Sequence, residues 1–454
     1  MPARRQHFDK SILHPGVVVR LAEADGAHTL VGETIVRVPG GVPGDRGLVR
    51  IRHVGGQAAW GSLELLEHPS PDRVEAPCPV VLRCGGCPWQ TASLQAQRAA
   101  RLAAIQGLLG DLAADARWHL WPGTAATTGY RTRALMMARK NRRLGLELGF
   151  FAPGSHDLVP ATGCVVQHPL VTQVLTAARD VLEASHITVW NDETATGLLR
   201  AVLYRVDPDL GEGLLTLVVS RHARQEQLAA ELLEIPGVSG VFVNTNAAPG
   251  GAVLGPETLH VGGERTQRVR YGSLDLEVGP TAFLQTRHDM TATLIDVVGG
   301  FLPARMAHLL DLYAGVGVLG LSLRERADRL TLVERDAEAV LDARVNLANL
   351  GVTAGRVVAA DAAIFAGDLA GLDPPPDAVV LDPPRAGCAP AVLDAVAALP
   401  GNPALVYVSC GPASLARDLK RLREAGFQVT DVALLDMFVH TPHVEVVVAL
   451  RRGA

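Results

Sequence analysis

The sequence predicts an α/β fold in three parts: a small N-terminal β-barrel, a central α/β domain and a C-terminal doubly wound, Rossmann-like domain. The chain has 454 residues, a length typical of about three domains. From about residue 305, apolar strands alternate with helices, as in a parallel sheet covered by helices. Residues 11–66 carry short strands separated by glycine and proline, which favours a small barrel. We therefore divide the chain into 1–70, 71–275 and 276–454.

The composition narrows the class of protein. Hydrophobic residues make up 48% of the chain and charged residues 20%, as in ordinary globular proteins and unlike disordered ones. No run approaches about 18 apolar residues, so we expect no membrane span. The N-terminus leads into no apolar segment, so we expect no secretory signal and a cytoplasmic protein. We also expect a monomer. The net charge of −5 argues against indiscriminate coating of nucleic acid but is compatible with local basic patches.

The barrel is predicted from strand-like segments between residues 11 and 66. They read GVVVRL, TLVGETIVRV, GLVRIRHV and AAWGSLELL, and the turn-forming VPGGVPGD lies among them. The proline-containing HPSPDRVEAP at 68–77 marks a boundary. An amphipathic helix follows at about 91–113, and it could pack on the C-terminal domain. Residues 120–275 mix strands and helices without the rhythm of a parallel sheet.

The C-terminal domain is predicted from five apolar strands with helices between them. The strands lie within AHLLDLYAG, RLTLVERD, RVVAADA, DAVVLDPPRAG and ALVYVSCGP. Two further strand-like segments, VTDVALLDMF and HVEVVVALRR, end the chain and suggest an antiparallel edge. Because the carboxyl ends of parallel strands meet at one edge of a sheet, residues that follow these strands are candidates for a ligand site.

A glycine-rich turn follows the first of these strands. Gly315, Gly317 and Gly320 fit the pattern G-x-G-x-x-G between a strand and a helix. In that position glycines let the backbone approach a cofactor closely at the N-terminus of the helix. Taken alone the pattern is weak, because glycines in tight turns are common.

Three acidic residues strengthen the interpretation of a nucleotide site. Asp311 lies in the strand before the glycine turn, Glu334 ends the second strand and Asp361 ends the third. A carboxylate after the second strand can bind ribose hydroxyls, and Asp361 is placed for an adenine amino group. Both NAD and S-adenosylmethionine bind to sheets of this topology.

The motif DPPR at 382–385 distinguishes between these two cofactors. A carboxylate followed by two prolines forms a rigid loop at the carboxyl edge of the sheet. Such a loop is typical of methyltransferases that act on planar nitrogen or carbon centres. A plain Pro-Pro turn is the alternative. Together with the glycine turn and the acidic residues, DPPR favours S-adenosylmethionine.

Cys410 and Glu445 are the candidate nucleophile and base. Cys410 lies at the exit of the fifth strand, and Glu445 begins the last strand. A structural cysteine more often lies inside a strand, whereas a lone glutamate at a strand start is usually solvated. Together with Asp382 they suit uracil: thiolate addition at C6 makes C5 nucleophilic, and a base then removes the C5 proton. Gln285 is a further candidate for binding the pyrimidine edge.

Five motifs, in the same order, resemble the RNA (uracil-5-)-methyltransferases. They are AFLQ (282–285), LDLYAGVGVLGL (310–321), LDPPRAG (381–387), VYVSCGPASLARDL (406–419) and LLDMFVHTPHVE (434–445). The resemblance implies that Cys410 is the nucleophile and Glu445 the base. It also implies a set of residues at the methyl-donor and uracil site, namely Gln285, Tyr313, Glu334 and Asp382. Phe283 would pack near the target base, and Ala314 replaces a cysteine found in many relatives.

Four cysteines form a candidate metal site. Cys78, Cys84 and Cys87 are spaced C-x5-C-x2-C, and Cys164 lies 77 residues further along the chain. Four cysteines fit zinc or an iron–sulfur cluster, and three close cysteines with one remote cysteine favour [4Fe–4S]. Buried free thiols are the alternative. The pattern resembles the iron–sulfur branch of the same family, which implies a cluster that organises the central domain and its RNA contacts.

A basic run and the N-terminal barrel are candidates for RNA binding. Residues 129–143 contain six cations and no acid: Arg131, Arg133, Arg139, Lys140, Arg142 and Arg143. Such a run is more often a solvated face, but a local patch can bind phosphates. Residues 10–66 resemble a TRAM domain, the small RNA-binding barrel of this family. A stacked target base would have to be flipped out to reach Cys410.

We therefore expect the formation of 5-methyluridine in 23S ribosomal RNA, with S-adenosylmethionine as donor and a covalent bond between Cys410 and C6. The barrel and the cysteines point to the 23S branch, and tRNA is the second candidate substrate. Methylation of a nitrogen or a ribose oxygen, or a non-catalytic RNA-binding or assembly factor, are the rival hypotheses. DNA is not expected, because a DNA cytosine methyltransferase carries its nucleophile in a Pro-Cys loop, whereas Cys410 follows Ser409.

Overall fold

The computed structural model describes residues 12–22, 26–54, 59–141, 143–222, 225–248 and 253–453. The chain divides into two compact units, each of which collects segments that are distant in sequence. The first comprises Met1–Gly107, Phe151–Val159 and Phe438–Val444, and the second comprises Leu108–Phe150, Pro160–Met437 and Glu445–Ala454. Within the described ranges, no helix combines the length and the apolar character that a membrane crossing requires.

The first unit contains a closed five-stranded barrel, as the short alternating strands predict. Its strands are β1 (Leu13–Ala22), β2 (Gly26–Val31), β3 (Thr34–Arg37), β4 (Arg46–Val54) and β5 (Ala59–His68). The strand order is β1-β2-β3-β5-β4, and the antiparallel pairing of β1 with β4 closes the barrel. Because side chains alternate along a strand, residues such as Val36, Val49 and Ile51 all point inward and are completely buried.

A buried carboxylate anchors the segment that follows the barrel. Asp45 is fully buried and accepts hydrogen bonds from the backbone N–H groups of Val42 (2.7 Å) and Ser70 (2.9 Å) and from Nε of Arg73 (3.0 Å). Burial alone would raise the pKa of Asp45, but the bonds from Arg73 and the two backbone donors outweigh it and hold the pKa below its ordinary value. The boundary segment at 68–77 is therefore fastened to the barrel by an ionised group.

Two helices follow the barrel. They are α1 (Val81–Cys84) and α2 (Leu94–Leu109), and a 3₁₀ helix at Gly110–Ala113 continues α2. The helix expected at about 91–113 is therefore present, with its last turn tightened to 3₁₀ geometry.

Within the first unit, two buried polar side chains of α2 hold the C-terminal segment 438–444. The Gln97 side chain accepts a hydrogen bond from the backbone N–H of His440 (2.8 Å). Arg101 is 1% exposed and donates to the carbonyl oxygens of Thr441 (2.9 Å) and Phe438 (3.2 Å). Trp89 donates its backbone N–H to the His440 carbonyl (3.0 Å). The bonds to His440 and Thr441 satisfy backbone groups that would otherwise be buried without partners.

The second unit begins with the short strand β6 (Arg117–Leu120) and continues into a seven-stranded sheet. The elements of this central part are β7 (Arg133–Asn141), β8 (Gly145–Phe151), β9 (Leu158–Pro160), α3 (Pro169–Ala184), β10 (Leu199–Asp207), β11 (Glu212–Val219), α4 (Glu226–Leu233), β12 (Val238–Thr245) and β13 (Glu257–Gly263). The strand order is β13-β12-β11-β10-β7-β8-β9. The pairing of β11 with β12 is parallel, whereas β10 pairs with β11 and β7 in antiparallel fashion. This mixture explains why no parallel rhythm is visible in the sequence of this region.

Helix α3 covers the central sheet with one apolar face. It begins at Pro169, whose fixed φ suits the first helical position. Its buried residues recur at the spacing of one helical face: Val171, Val174, Leu175, Ala178 and Leu182. They join the side chains of β7, β10 and β11 in the core of this domain.

A hairpin and an eight-stranded sheet complete the second unit. Their elements are β14 (Gln267–Tyr271), β15 (Leu274–Val278), α5 (His288–Phe301), β16 (Leu309–Leu312), α6 (Val318–Ser322), β17 (Leu330–Glu334), α7 (Ala337–Asn349), β18 (Gly355–Ala359), α8 (Ala362–Phe365), β19 (Ala378–Leu381), α9 (Pro390–Ala397), β20 (Ala404–Ser409), α10 (Pro412–Glu424), β21 (Phe427–Leu435) and β22 (Glu445–Arg452). Two further 3₁₀ helices lie at Arg324–Arg326 and Ala366–Gly371.

The eight-stranded sheet has the order β18-β17-β16-β19-β20-β22-β21-β6. Strands β16 to β20 are parallel, and β22 pairs antiparallel with both β20 and β21. The predicted Rossmann-like sheet with an antiparallel edge is confirmed. The chain runs outward on one side of β16 to β17 and β18, and on the other side to β19 and β20. This reversal of strand order is the point at which ligands bind in such sheets, outside the carboxyl ends of the strands.

One strand of this sheet, β6, was not predicted from the sequence. Strand β6 pairs in parallel with β21 at the sheet edge, although it lies near residue 120, far from the other strands in sequence. It has four residues, most of them exposed, so it carries no alternation by which a strand could be recognised.

Candidate active site

The glycine turn after β16 adopts the left-handed conformations that its sequence suggests. Gly315 has φ of 56° and Gly317 has φ of 95°, and Tyr313 is also left-handed at 66°. Gly317 is the N-cap residue of α6. Gly320 has a different role: a Cβ there would lie 2.5 Å from Cδ2 of Leu332 and 2.8 Å from Oδ2 of Asp311. The third glycine therefore allows α6 to pack directly on the sheet.

Asp311 is buried beneath this turn. It is 1% exposed, and its Oδ2 accepts a hydrogen bond from the backbone N–H of Gly320 at 2.8 Å. Among the described residues, its Oδ1 has no hydrogen-bond partner. Burial is the main reason that the pKa of Asp311 rises to about 8, with the carboxyl groups of Asp382 and Glu334 adding to the effect. Asp311 is therefore largely protonated at neutral pH. Its Oδ2 holds the glycine turn, and its Oδ1 is a further polar atom that a ligand could bind.

Glu334 and Asp361 lie at the carboxyl ends of neighbouring strands. Glu334 ends β17, and its two oxygens accept the backbone N–H groups of Gly315 (2.9 Å) and Arg335 (2.7 Å). Asp361 caps α8 by accepting the N–H of Ala363 (2.9 Å). This bond, and secondarily an ion pair with Arg335, holds the pKa of Asp361 below its ordinary value. Both expected carboxylates thus stand at the edge where the glycine turn lies.

The segment between β15 and α5 carries Phe283 and Gln285. Phe283 is 68% exposed, whereas Gln285 is half-buried. The buried guanidinium of Arg205 holds this segment: its nitrogens lie 2.8 Å from the Ala282 carbonyl and 2.5 Å from the Gly279 carbonyl. Burial lowers the pKa of Arg205 to about 10, so it remains charged at neutral pH. The exposed Phe283 ring therefore stands on an anchored backbone.

The strand register brings Cys410 and Glu445 together. Strands β20 and β22 are antiparallel, and Ser409 pairs with Val446. Cys410, the residue that follows β20, therefore lies beside Glu445. Asp382 directly follows β19, whose last residue Leu381 pairs with β16 on one side and β20 on the other. The three predicted catalytic side chains thus meet at the carboxyl edge, next to the residues that follow β16.

Burial dominates the electrostatics of this group. Glu445 is 2% exposed, and burial, reinforced by Asp382, raises the pKa of Glu445 well above its ordinary value. Burial also raises the pKa of Asp382 to about 7. The pKa of the Cys410 thiol is raised by burial first and then by Glu445 and Asp382. A carboxyl with an elevated pKa is a suitable base for a carbon-bound proton near neutral pH.

Arg385 is a site residue whose role the sequence reasoning missed. It belongs to DPPR, but no function was expected of it. Its backbone lies against the turn that follows Cys410, where a Cβ on Gly411 would be 2.5 Å from the Arg385 carbonyl oxygen. Its positive charge counteracts the rise in the pKa of the Cys410 thiol and also the rise in the pKa of Glu445. The signal that could have revealed it is the pairing of a nucleophilic cysteine with a cation, because a nearby positive charge favours the thiolate at neutral pH.

The predicted metal ligands belong to both compact units. Cys78, Cys84 and Cys87 are half-buried in one loop of the first unit, around α1. Gly85, at the C-terminus of α1, has a left-handed φ of 69°, which turns the chain between the cysteines. The Cys78 N–H donates to the Gln90 side chain at 3.0 Å. Cys164 belongs to the second unit, where it packs against the core of the central sheet.

The structure does not gather the basic run into one patch. Strand β7 places Arg133 and Arg139 on one face and Lys140 on the other. Arg139 pairs with Asp192 at 2.6 Å and Lys140 with Glu183 at 2.8 Å. Arg131 is half-buried and Arg143 is exposed, whereas Arg142 lies outside the described residues. Burial lowers the pKa of Arg133.

The chain is similar in sequence to known RNA methyltransferases. The sequence model of the family described as tRNA (Uracil-5-)-methyltransferase matches residues 264–453. An uncharacterized RNA methyltransferase of Gloeobacter violaceus is 32% identical over 95% of this chain and 94% of its own. One from a Nostoc species is 33% identical over 96% of this chain and 97% of its own.

Among solved structures, the fold resembles that of the Pyrococcus abyssi tRNA (uracil-54, C5)-methyltransferase, in complex with S-adenosyl-L-homocysteine. The TM-score is 0.76 at 24% identity, over 96% of this chain and all of that one. The two RNA methyltransferases match this chain over nearly their whole length, and the family model matches the domain that holds Cys410 and Glu445. The chain therefore belongs to the RNA (uracil-5-)-methyltransferase family.

Proposed function

We propose that the protein transfers a methyl group from S-adenosylmethionine to C5 of a uridine in RNA, through a covalent bond between Cys410 and C6. The placement of Cys410 beside the buried Glu445, at the carboxyl edge of the sheet, carries this proposal. Neither a nitrogen nor a ribose oxygen needs a thiol for its methylation, so this pair of side chains favours carbon as the acceptor.

The residues around the glycine turn fit S-adenosylmethionine. The left-handed Gly315 and Gly317 expose backbone at the strand end, and the buried Oδ1 of Asp311 has no partner among the described residues. Glu334 and Asp361 offer carboxylate oxygens at the same edge for ribose and adenine. Tyr313 and Gln285 are the remaining proposed contacts. When bound, the cofactor would supply an electrophilic methyl carbon.

The chain's own residues would perform the other steps. Arg385 stabilises the Cys410 thiolate, which adds to C6 and shifts an electron pair towards C5. Asp382, with a pKa of about 7, can donate or accept a hydrogen bond at the pyrimidine edge. After C5 has been methylated it still carries its proton, which Glu445 accepts. Expulsion of Cys410 then restores the C5–C6 double bond and regenerates the thiolate.

We further propose that the substrate is 23S ribosomal RNA, which would place the reaction in the cytoplasm. The support is the combination of a TRAM-like barrel at 1–70 with a cysteine loop in a central domain at 71–275, ahead of the catalytic domain at 276–454. The exposed Phe283 ring, together with cations such as Arg131 and Arg143, would contact the RNA. A tRNA is the second candidate, because the solved relative of similar fold acts on tRNA.

The experiment that tests this function is tritium release from RNA labelled at uridine C5. Purified protein and S-adenosylmethionine are added to unmodified 23S ribosomal RNA and, separately, to unmodified tRNA. Release from 23S RNA alone is expected. Release from tRNA alone would transfer the proposal to tRNA. Methyl incorporation without tritium release would place the reaction on nitrogen or oxygen and remove Cys410 from it.

We also propose that Cys78, Cys84, Cys87 and Cys164 bind a [4Fe–4S] cluster. The three half-buried thiols of one loop form a donor set suited to iron and sulfide, and Cys164 is the expected fourth ligand. No step of methyl transfer involves this group. Anaerobically purified protein should contain iron and sulfide and absorb near ~400 nm. Cys164→Ser should lose iron, whereas Cys388→Ser should retain it. Colourless protein with stoichiometric zinc would contradict this proposal.

A further inference from the structure

The loop that carries Arg385 is fastened to one face of helix α10. Ser414 donates its hydroxyl to the Arg385 carbonyl at 2.7 Å. One turn later, Arg417 donates to the Ala386 carbonyl at 2.8 Å. Asp418 accepts the backbone N–H of Cys388 at 2.8 Å. Residues three and four apart lie on the same helix face, so three side chains of α10 bind three nearby backbone groups of the loop.

The bond from Cys388 to Asp418 is buried, whereas the bonds of Ser414 and Arg417 to the loop are exposed. Asp418 is 1% exposed, and its Oδ2 also accepts the Tyr407 hydroxyl at 2.7 Å. Arg417 donates Nε to the other oxygen of Asp418 at 2.8 Å. Gly387 is left-handed, with φ of 82°, and a Cβ there would lie 2.5 Å from Oδ2 of Asp418. The close approach therefore requires glycine on the loop and a short acidic side chain on the helix.

The same helix begins directly after the nucleophile. A Cβ on Gly411, the residue that follows Cys410, would lie 2.5 Å from the Arg385 carbonyl oxygen. The Ser414 hydroxyl lies between the Arg385 carbonyl and the Gly411 carbonyl, at 2.7 and 2.8 Å. One hydroxyl thus joins the turn after Cys410 to the backbone of Arg385.

We propose that Ser414, Arg417 and Asp418 form a clamp that positions Arg385 against Cys410 and so sets the fraction of thiolate available for attack. The three are positioning residues, because they act through the loop backbone. The inference rests on the proposed function, which makes Cys410 the nucleophile. The groups that face Cys410 are Arg385, Glu445 and Asp382. Of these three, Arg385 is the cation, so its displacement leaves the thiolate facing two carboxyl groups.

The test measures the reactivity of Cys410 without RNA or S-adenosylmethionine. The full-length protein is alkylated with iodoacetamide at a series of pH values. The rate at Cys410 is followed by mass spectrometry of its peptide, because the chain has five other cysteines. The variants are Ser414→Ala, Ser414→Thr, Arg417→Met, Arg385→Met and the double variant Ser414→Ala with Arg385→Met. The control is Arg421→Ala, which removes an exposed α10 side chain that pairs with Asp394 at 2.7 Å.

Ser414→Ala and Arg417→Met should shift the pH midpoint of alkylation upward by about half a unit, which slows alkylation about threefold below the midpoint. Ser414→Thr and Arg421→Ala should keep the wild-type midpoint. Arg385→Met should shift the midpoint at least as far as Ser414→Ala. The double variant should match Arg385→Met, because the clamp acts only through that residue.

Two results would overturn the clamp: a wild-type midpoint in Ser414→Ala, or a double variant shifted further than Arg385→Met alone. The readout does not depend on catalysis. A shifted midpoint in a protein that releases no tritium from either RNA would leave the clamp standing and reject the proposed function. Tritium release with an unshifted Ser414→Ala would do the reverse.

Discussion

At the residue scale, the site separates two tasks between two neighbouring side chains. In the proposed reaction, Cys410 must be ionised to attack C6, and Glu445 must be ionised to accept the C5 proton. Burial is the first cause that raises the pKa of both groups. Glu445 and Asp382 raise the pKa of Cys410 further, and Asp382 raises the pKa of Glu445 further. Arg385 is the cation that opposes this effect. The balance among Arg385, Glu445 and Asp382 therefore determines how much of the enzyme is ready to react at neutral pH.

Glu445→Gln should trap the covalent intermediate. Glutamine cannot accept the C5 proton, so the enzyme should methylate C5 once and remain bound to RNA through Cys410. A denaturing gel of labelled RNA should show a band of protein–RNA adduct. Cys410→Ala is the matched variant, which should give no adduct while still binding S-adenosylmethionine in equilibrium dialysis. Full turnover by Glu445→Gln, without adduct, would remove Glu445 from the role of base.

The rate of a single turnover should rise with pH. Cys410 and Glu445 both act in their deprotonated forms, and both pKa values lie above their ordinary values. Raising the pH from about 6 to about 8 should therefore increase the rate, by up to about tenfold per unit for each group below its pKa. Tritium release under saturating RNA and cofactor measures this. A rate that is flat over the interval would mean that both groups are already ionised.

At the scale of elements, the site depends on how closely helices approach strand ends. The glycine turn uses left-handed residues to leave β16, whereas Gly320 lets α6 lie against β17. On the other side of the switch point, α10 holds the loop after β19. In both places a glycine, Gly320 or Gly387, permits the close approach.

Gly320→Ala should destabilise the catalytic domain and weaken cofactor binding. Its Cβ would lie 2.5 Å from Leu332 and 2.8 Å from Asp311, so α6 would have to move away from the sheet. Overpacking of this kind costs about 1–3 kcal/mol of unfolding free energy. Chemical denaturation and equilibrium dialysis with S-adenosylmethionine measure the two effects.

Gly300→Ala is the matched control for Gly320→Ala. It lies in α5, and a Cβ there meets nothing within 4 Å. The added methyl group should stabilise the helix by a few tenths of a kcal/mol to about 1 kcal/mol. Equal stability of Gly320→Ala and the wild type would show that the close packing is not needed.

At the scale of the whole molecule, sequence order and spatial order differ. The segment 438–444, which directly precedes Glu445, belongs to the compact unit that contains the barrel. In that unit Arg101 holds the carbonyls of Phe438 and Thr441, and its guanidinium lies 5.6 Å from the centroid of the Trp89 ring. A buried arginine of α2 thus orders a stretch of chain more than 300 residues away.

Arg101→Met should loosen the segment 438–444. The substitution keeps the apolar stem but removes the donor of the buried Thr441 carbonyl, which costs about 1–3 kcal/mol. The Phe438 carbonyl keeps its hydrogen bonds from the Thr441 N–H and hydroxyl. Hydrogen exchange measured by mass spectrometry should rise in the peptide that covers 438–444. Exchange in the barrel peptides that cover β1 and β4 serves as the internal reference. Unchanged exchange at 438–444 would show that other contacts of the segment suffice.

The sequence by itself predicted the barrel and the Rossmann-like sheet, and it assigned the candidate site residues to one edge of that sheet. The alternation of apolar strands with helices predicts a parallel sheet because strands buried on both faces read as apolar runs. The acidic residues, Cys410 and Glu445 could then be assigned to one edge, because the carboxyl ends of parallel strands coincide. The motifs around them were also enough to identify the family resemblance.

Only the tertiary structure decided which partners each side chain has. It placed β6 at the sheet edge, paired Arg139 and Lys140 with carboxylates, and left Phe283 exposed on an anchored loop. It also showed the Arg385 backbone against the turn that follows Cys410, and α10 holding the loop of Arg385. The physical reason is common to all of these. Periodicity along a chain reports which face is buried, whereas ion pairs and backbone hydrogen bonds join residues that share no pattern in sequence.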